Sequence, residues 1–303
     1  MPNNKLKLNN PKILKKLIIA IIPGLIVAGF WAFAQIASPS QRLVFDALLP
    51  GKIIINPSLP GKAVITGQTI TAPPEEPGWQ CGDSLAYHGV DSGGNPITNY
   101  QYSTVQIGTQ CWFAENLRAT KYRDNSNIPN LTNNTDWQND TTGAYAWYEN
   151  NYATYGSVYG ALYNWYAATN TAGLCPEGWR VPTDDDWYAL TNYLSANSEY
   201  WCGGNNDYIA KSLASKTHWS SYGTACTVGN STSTNNLTGF SVLPAGYRDT
   251  PGSFLGISFS AYLWSSTESG ASAWYRFLFY YFASVYRYSY DKALGFSVRC
   301  LRE

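Results

Sequence analysis

Residues Ala273 to Cys300 read AWYRFLFYYFASVYRYSYDKALGFSVRC. Ten of the seventeen residues from Trp274 to Tyr290 are Trp, Tyr or Phe. Side chains alternate between the two faces of a strand. Trp274, Arg276, Leu278 and Tyr280 therefore share one face, and Tyr275, Phe277, Phe279 and Tyr281 the other. Val285, Arg287, Ser289 and Asp291 then alternate with Tyr286, Tyr288 and Tyr290, which reads as the second strand of a terminal antiparallel β-hairpin. Aromatics are common in sheets as core, but a core draws more heavily on Ile, Leu and Val. Tyr and Trp also give large, rigid, amphipathic contact area at low entropic cost. The pattern predicts one face packed on the core and a second face that is either covered or used for binding.

Outward from this stretch, the chain has 303 residues, enough for one or two domains with a sizeable core. Aromatics reach 16% while charged residues stay at 13%, a composition that argues against a disordered or coiled-coil chain. Net charge is zero, but Lys5, Lys7, Lys12, Lys15 and Lys16 are the only charged residues in the first 34, so the remainder carries −5. That balance gives no support for nucleic-acid binding.

Leu17 to Ala34 (LIIAIIPGLIVAGFWAFA) is apolar throughout and follows a basic leader. It reads as a signal peptide cleaved after Ala34 or as an uncleaved membrane anchor, with the lysines cytoplasmic and the rest outside. Residues 35–78 read as a stalk. LPGK occurs at Leu49–Lys52 and at Leu59–Lys62, and Thr71–Pro77 is a stiff Pro-rich linker. The main domain is expected over residues 79–303.

All six cysteines fall in that domain, and none forms a CxxC pair. An even count in an exported chain reads as a disulfide framework, with fifteen possible connectivities. We take Cys81–Cys111 and Cys202–Cys226 as local closures, and Cys175–Cys300 as the bridge from the start of the helical half to the last strand. A loop of that length contributes on the order of 4–5 kcal/mol through chain entropy.

Tyr102 to Trp112 predicts a hairpin turning at Gly108, and Tyr122 to Asp140 predicts a loop. Tyr155 to Ala168 has helical spacing at Val158, Leu162 and Trp165. Gly178 to Pro182 predicts a short strand. Thr183 to Leu194 predicts the best helix, capped by Thr183, with Asp184, Asp185 and Asp186 in its first turn and a buried stripe of Trp187, Leu190 and Leu194. Ser195 to Gly239 reads as a polar insertion. Phe240–Arg248 and Ala261–Ser266 predict strands preceding the terminal hairpin. Asn130, Asn133, Asn139, Asn230 and Asn236 begin glycosylation sequons, a pattern that also arises by chance in Asn/Thr-rich loops.

Six phrases occur in order: VQIGTQCWFAENL (Val105–Leu117), YGALYNWYAA (Tyr159–Ala168), CPEGWRVPTDDDW (Cys175–Trp187), GFSVLPAGYRD (Gly239–Asp249), AYLWSSTES (Ala261–Ser269) and GFSVRC (Gly295–Cys300). Together they resemble the Fibrobacter succinogenes major paralogous domain family over about Cys81 to Glu303. That family is similar to C-type-lectin-like folds. The resemblance implies an α+β domain with a loop-rich binding face, in which Cys175–Cys300 fits the long-range bridge. The terminal segment also resembles variable proteins of diversity-generating retroelements, where adenine-directed mutation yields Tyr, Ser, Phe, Asp and Ala at exposed positions. On that resemblance Trp274, Arg276, Leu278, Val285, Arg287, Gly295 and Phe296 form a frame. Phe277, Phe279, Tyr281, Phe282, Ala283, Ser284, Tyr288, Ser289, Tyr290 and Asp291 are interleaved with it as the diversified, ligand-contacting set, and the ten predicted contact residues are these with Tyr275 in place of Ala283.

Neither His88 nor His218 sits in a triad or zinc setting. Helix capping accounts for Asp184–Asp186 without a metal, and Asn139–Asp140 lies too early in the chain for a lectin calcium triplet. No cofactor or metal is expected. The expected function is a non-enzymatic, surface-displayed or secreted binding protein whose partner is a surface protein or a glycan, with Ser284, Ser289 and Asp291 adding polar specificity. Two rivals stand beside it: a structural envelope protein whose aromatics are all core, and a cysteine- or copper-dependent oxidase of the sulfatase-modifying type, which needs free thiols.

Overall fold

The computed structural model describes residues 79–303. The apolar segment 17–34, the stalk 35–78 and the LPGK repeat lie outside the described residues. Leu85–Val90 (β1) and Pro96–Tyr102 (β2) form an antiparallel hairpin that sequence inspection does not anticipate. Thr104–Ile107 (β3) and Gln110–Phe113 (β4) form the hairpin predicted there, and Gly108 turns it at φ 59°. Tyr145–Ala146 (β5) pairs with Leu162–Tyr163 (β6). Trp179–Arg180 (β7) is the short strand expected near Gly178. Ala245–Arg248 (β8), Phe254–Ile257 (β9), Ser260–Ser269 (β10), Ser272–Phe279 (β11) and Tyr286–Asp291 (β12) follow, and Leu301–Arg302 (β13) ends the chain.

Two sheets dominate this α+β unit. One has the order β12-β11-β10-β8-β9, antiparallel except where β8 runs parallel to β10. The other has the order β3-β4-β13-β7, so the last residues lie between strands far upstream. Cys175–Cys300 and Cys81–Cys111 bridge residues at this second sheet, Cys202–Cys226 closes the polar insertion, and these are the three pairs read from the sequence.

The helix Asp184–Ala196 forms as its capping signals dictate. Thr183 Oγ1 accepts from Asp186 N–H at 3.2 Å, and Asp186 Oδ2 reciprocally accepts from Thr183 N–H at 2.6 Å. Trp187, Leu190 and Leu194 are buried against Trp112, Phe240, Leu263 and Leu278. Each such burial contributes roughly 1.5–3 kcal/mol. Trp112 lies 4.8 Å from Trp187 and 5.5 Å from Phe240, centroid to centroid.

Three expected elements differ. The loop predicted over Tyr122–Asp140 contains a helix, Asn134–Asn139, because Asn133 Oδ1 accepts from Thr135 and Asp136 N–H and Trp137 plugs the core. The helix predicted over Tyr155–Ala168 breaks into one turn (Ser157–Tyr159), strand β6 and a second helix (Trp165–Ala168). Gly160 at φ 77° stops the first part, and Asn164 caps the last. The strand predicted from Phe240 is shorter, because Val242 bridges Ala214 instead of joining the sheet.

Candidate functional site

The register of the large sheet sorts the terminal aromatics. Tyr275 opposes Tyr288, Phe277 opposes Tyr286 and Ala273 opposes Tyr290, all on one face. Arg276 opposes Arg287, Trp274 opposes Ser289 and Ser272 opposes Asp291 on the other. Across β10, Tyr262 opposes Phe277 and Trp264 opposes Tyr275 on the first face.

The second face is committed to the helix. Arg276 Nη1 lies 2.6 Å from Asp184 Oδ1 and Arg287 Nη2 lies 2.8 Å from Asp184 Oδ2, while Arg287 stacks over Trp274 at 3.3 Å from the ring centre. Leu278 enters the core beside Leu263. Burial pushes the Asp184 carboxyl up, but the hydrogen bonds and charges of Arg287 and Arg276 outweigh it and hold its pKa below the usual carboxylate range.

The first face is a continuous field of rings. Tyr262 lies 4.8 Å from Tyr247, 4.9 Å from Phe277 and 5.8 Å from Tyr275, with the buried Phe296 ring 4.9 Å away. Tyr275 reaches Tyr288 at 6.4 Å, and Tyr286 and Tyr288 lie nearly parallel at 6.1 Å. Phe282 joins from the hairpin tip, 4.8 Å from Tyr286 and 5.8 Å from Phe279. Phe277 and Phe279 are half-buried, whereas Tyr281, Tyr288 and Tyr290 are 39%, 50% and 59% exposed. Burial, and then the neighbouring Tyr288, Tyr247 and Tyr290, pushes the Tyr275 hydroxyl up to about 12.

The hairpin tip is held by the polar insertion. Gly229 N–H donates to Tyr280 O at 2.7 Å, Val228 N–H to Phe282 O at 3.0 Å and Ala210 N–H to Ala283 O at 3.0 Å. Tyr222 packs on Tyr280 and Tyr281 at 5.5 and 5.7 Å. The Cys202–Cys226 bridge staples the segment that supplies Tyr222, Val228 and Gly229.

Of the ten predicted contact residues, Tyr275, Phe277, Phe279, Tyr288 and Tyr290 share this face, and Tyr281 and Phe282 extend it at the tip. Ser284, Ser289 and Asp291 do not join them. Strand alternation turns Ser289 and Asp291 to the helix side. Ser284 borders a cavity with Thr191, Asn192, Ser195 and Asp207. Tyr247, Tyr262 and Tyr286 complete the face and are absent from the predicted set. Tyr286 is legible from its alternation with Tyr288, whereas Tyr247 and Tyr262 arrive through pairing of separate strands.

Other groups singled out in the sequence take structural contacts. Asp186 pairs with Arg180, and Asp140 accepts from Thr142, Gly143 and Asn164. His88 is buried beside Tyr87, and burial and then Lys121 lower its pKa. All six cysteines are in bridges.

No curated protein and no solved structure matches the chain. Residues 105–302, which include both sheets' central strands, match the Fibrobacter succinogenes major domain, and the chain belongs to that family.

Proposed function

We propose that the protein is a non-enzymatic binding protein of C-type-lectin-like architecture, displayed at the cell surface or secreted through residues 17–34, that grips its ligand with the open aromatic face of its large sheet. The observation that carries this reading is the exposure of Tyr281, Tyr288 and Tyr290 beside the half-buried Phe277 and Phe279. A purely structural envelope role would bury these rings, because water-exposed aromatic area is costly and collects at contact sites. An oxidase of the sulfatase-modifying type needs thiols, and every cysteine is spent on a bridge. The ligand is a partner surface protein or a glycan. The face coincides with the segment that resembles retroelement-diversified positions, so diversification of Phe277, Phe279, Tyr288 and Tyr290 is part of the proposal.

The test is a glycan and cell-surface-protein array probed with the full chain and with a Tyr281→Ser, Tyr288→Thr, Tyr290→Thr variant. Wild-type binding that disappears in the variant supports the reading. Equal binding by both removes the site.

A further inference from the structure

Seventeen carboxylates stand against twelve basic side chains in residues 79–303, a net charge of −5. The basic groups are largely withdrawn from the surface. Arg118, Lys211, Arg248, Arg276 and Arg299 are buried. Arg123, Arg180, Arg287 and Lys292 are each tied to a carboxylate. Many carboxylates stay outside, among them Asp185, Asp207 and Asp291. The surface offered to a partner is therefore more acidic than the composition alone suggests.

The same basic groups show what this domain does with aromatic rings. Arg248 lies 4.4 Å from Trp137 and 4.9 Å from Phe254, Arg287 3.3 Å from Trp274, Lys292 4.5 Å from Trp165, Arg299 4.8 Å from Phe240 and Arg118 4.7 Å from Tyr100. Among the described residues, none of the rings of the open face carries such a cation. Burial, and then Asp249 and Tyr290, push the Tyr247 hydroxyl pKa up, so it is neutral at pH 7. The Asp249 carboxylate accepts from Ser253 N–H and makes no direct ion pair among the described residues, but its charge acts on the neighbouring buried Arg248. The face thus presents neutral phenol rings, negative over their π faces, on which no cation stacks among the described residues.

We propose that this tyrosine face binds an Arg- or Lys-bearing segment of a partner protein, with the cationic head over the rings. The proposal deepens, and rests on, the reading of this face as the ligand site. Cation–π contact over Tyr is strongest when partly desolvated, and the planar guanidinium adds stacking. The half-buried rings of Tyr247, Tyr262 and Tyr275 supply that partial desolvation. A neutral glycan gains neither term.

The test uses the full chain in detergent and a capped Gly-Arg repeat peptide of seven residues, with a citrulline version of the same peptide as the uncharged isostere. Titrations are run on wild type, on Tyr288→Leu/Tyr290→Leu, which keeps apolar area and removes the rings, and on Asp185→Asn/Asp207→Asn, which removes remote charge. The expected result is arginine-peptide binding that weakens about tenfold with citrulline and about tenfold in the ring variant, and no more than about twofold in the remote-charge variant. Loss that follows the remote carboxylates and not the rings overturns the proposal, since the attraction is then nonspecific. If the arginine peptide does not bind while an array ligand still binds through Tyr288 and Tyr290, the face stands as a site and the cation assignment falls. If neither ligand binds the face, both fall.

Discussion

Arg276, buried on the covered face of the sheet, donates from Nη1 to Asp184 Oδ1 at 2.6 Å across 92 residues of chain. Asp184 is the first residue of the helix Asp184–Ala196 and also receives Arg287. One carboxylate therefore locks the helix to the hairpin that carries the open aromatic face on its other side.

Removing that carboxylate leaves a buried guanidinium without its anion. Asp184→Asn is expected to cost about 3 kcal/mol, read as a lower urea midpoint with an unchanged slope. The double variant Asp184→Asn/Arg276→Met is expected to recover part of the loss. A single variant as stable as wild type would show that the pair contributes nothing net.

The same group sets an acid limit. Its folded pKa lies below its unfolded value, so its stabilisation is present above about pH 4. It is lost as pH falls through the folded pKa. Melting temperature followed from pH 7 to pH 2 is expected to drop more steeply for wild type than for Asp184→Asn, with the two curves converging at the acid end. Parallel curves would rule Asp184 out as the sensor.

Gly229 threads between backbone segments at the hairpin tip. A Cβ there would lie 2.9 Å from Tyr280 O and 3.0 Å from Tyr222 N, closer than real contacts allow. Gly229→Ala is expected to cost roughly 1–3 kcal/mol and to speed hydrogen exchange at the Val228 and Gly229 amides. Unchanged protection there would mean the insertion does not hold the tip.

Edge and centre of the aromatic face should respond differently to mutation. Tyr288→Thr and Tyr290→Thr lie on an exposed edge strand and are expected to shift stability within about 0.5 kcal/mol. Trp264, fully buried and donating from Nε1 to Tyr163 O at 2.8 Å, is expected to cost roughly 3–5 kcal/mol as Ala. Calorimetry of the three variants checks this, and a large loss at Tyr288 would move that ring into the core.

Opening the bridges should separate global from local order. Cys175 and Cys300 are 125 residues apart, so their replacement by Ser is expected to cost about 4–5 kcal/mol and to lower the whole transition. Cys202 and Cys226 are 24 apart, and their replacement should cost about 3 kcal/mol and loosen mainly the hairpin tip. Chemical unfolding with and without reductant reads both.

Four signals carried within a few residues were realised as read, while the helical spacing of Val158, Leu162 and Trp165 was broken by Gly160 and Asn164. The Thr183 cap, the Trp187–Leu190–Leu194 stripe, the Gly108 turn and the alternation from Tyr275 to Phe279 all act over one or two turns of chain, so local sterics and hydrogen bonding dictate them. Tertiary structure alone decided which rings stand together. Tyr247 and Tyr262 come to Tyr275 only through strand pairing, and Gly229 meets Tyr280 only through a disulfide-closed insertion. Ser289 and Asp291 are turned from that face because their strand partners, Trp274 and Ser272, point to the helix side. Register between distant strands is set by the summed packing of the whole core, a quantity that no single stretch of chain contains.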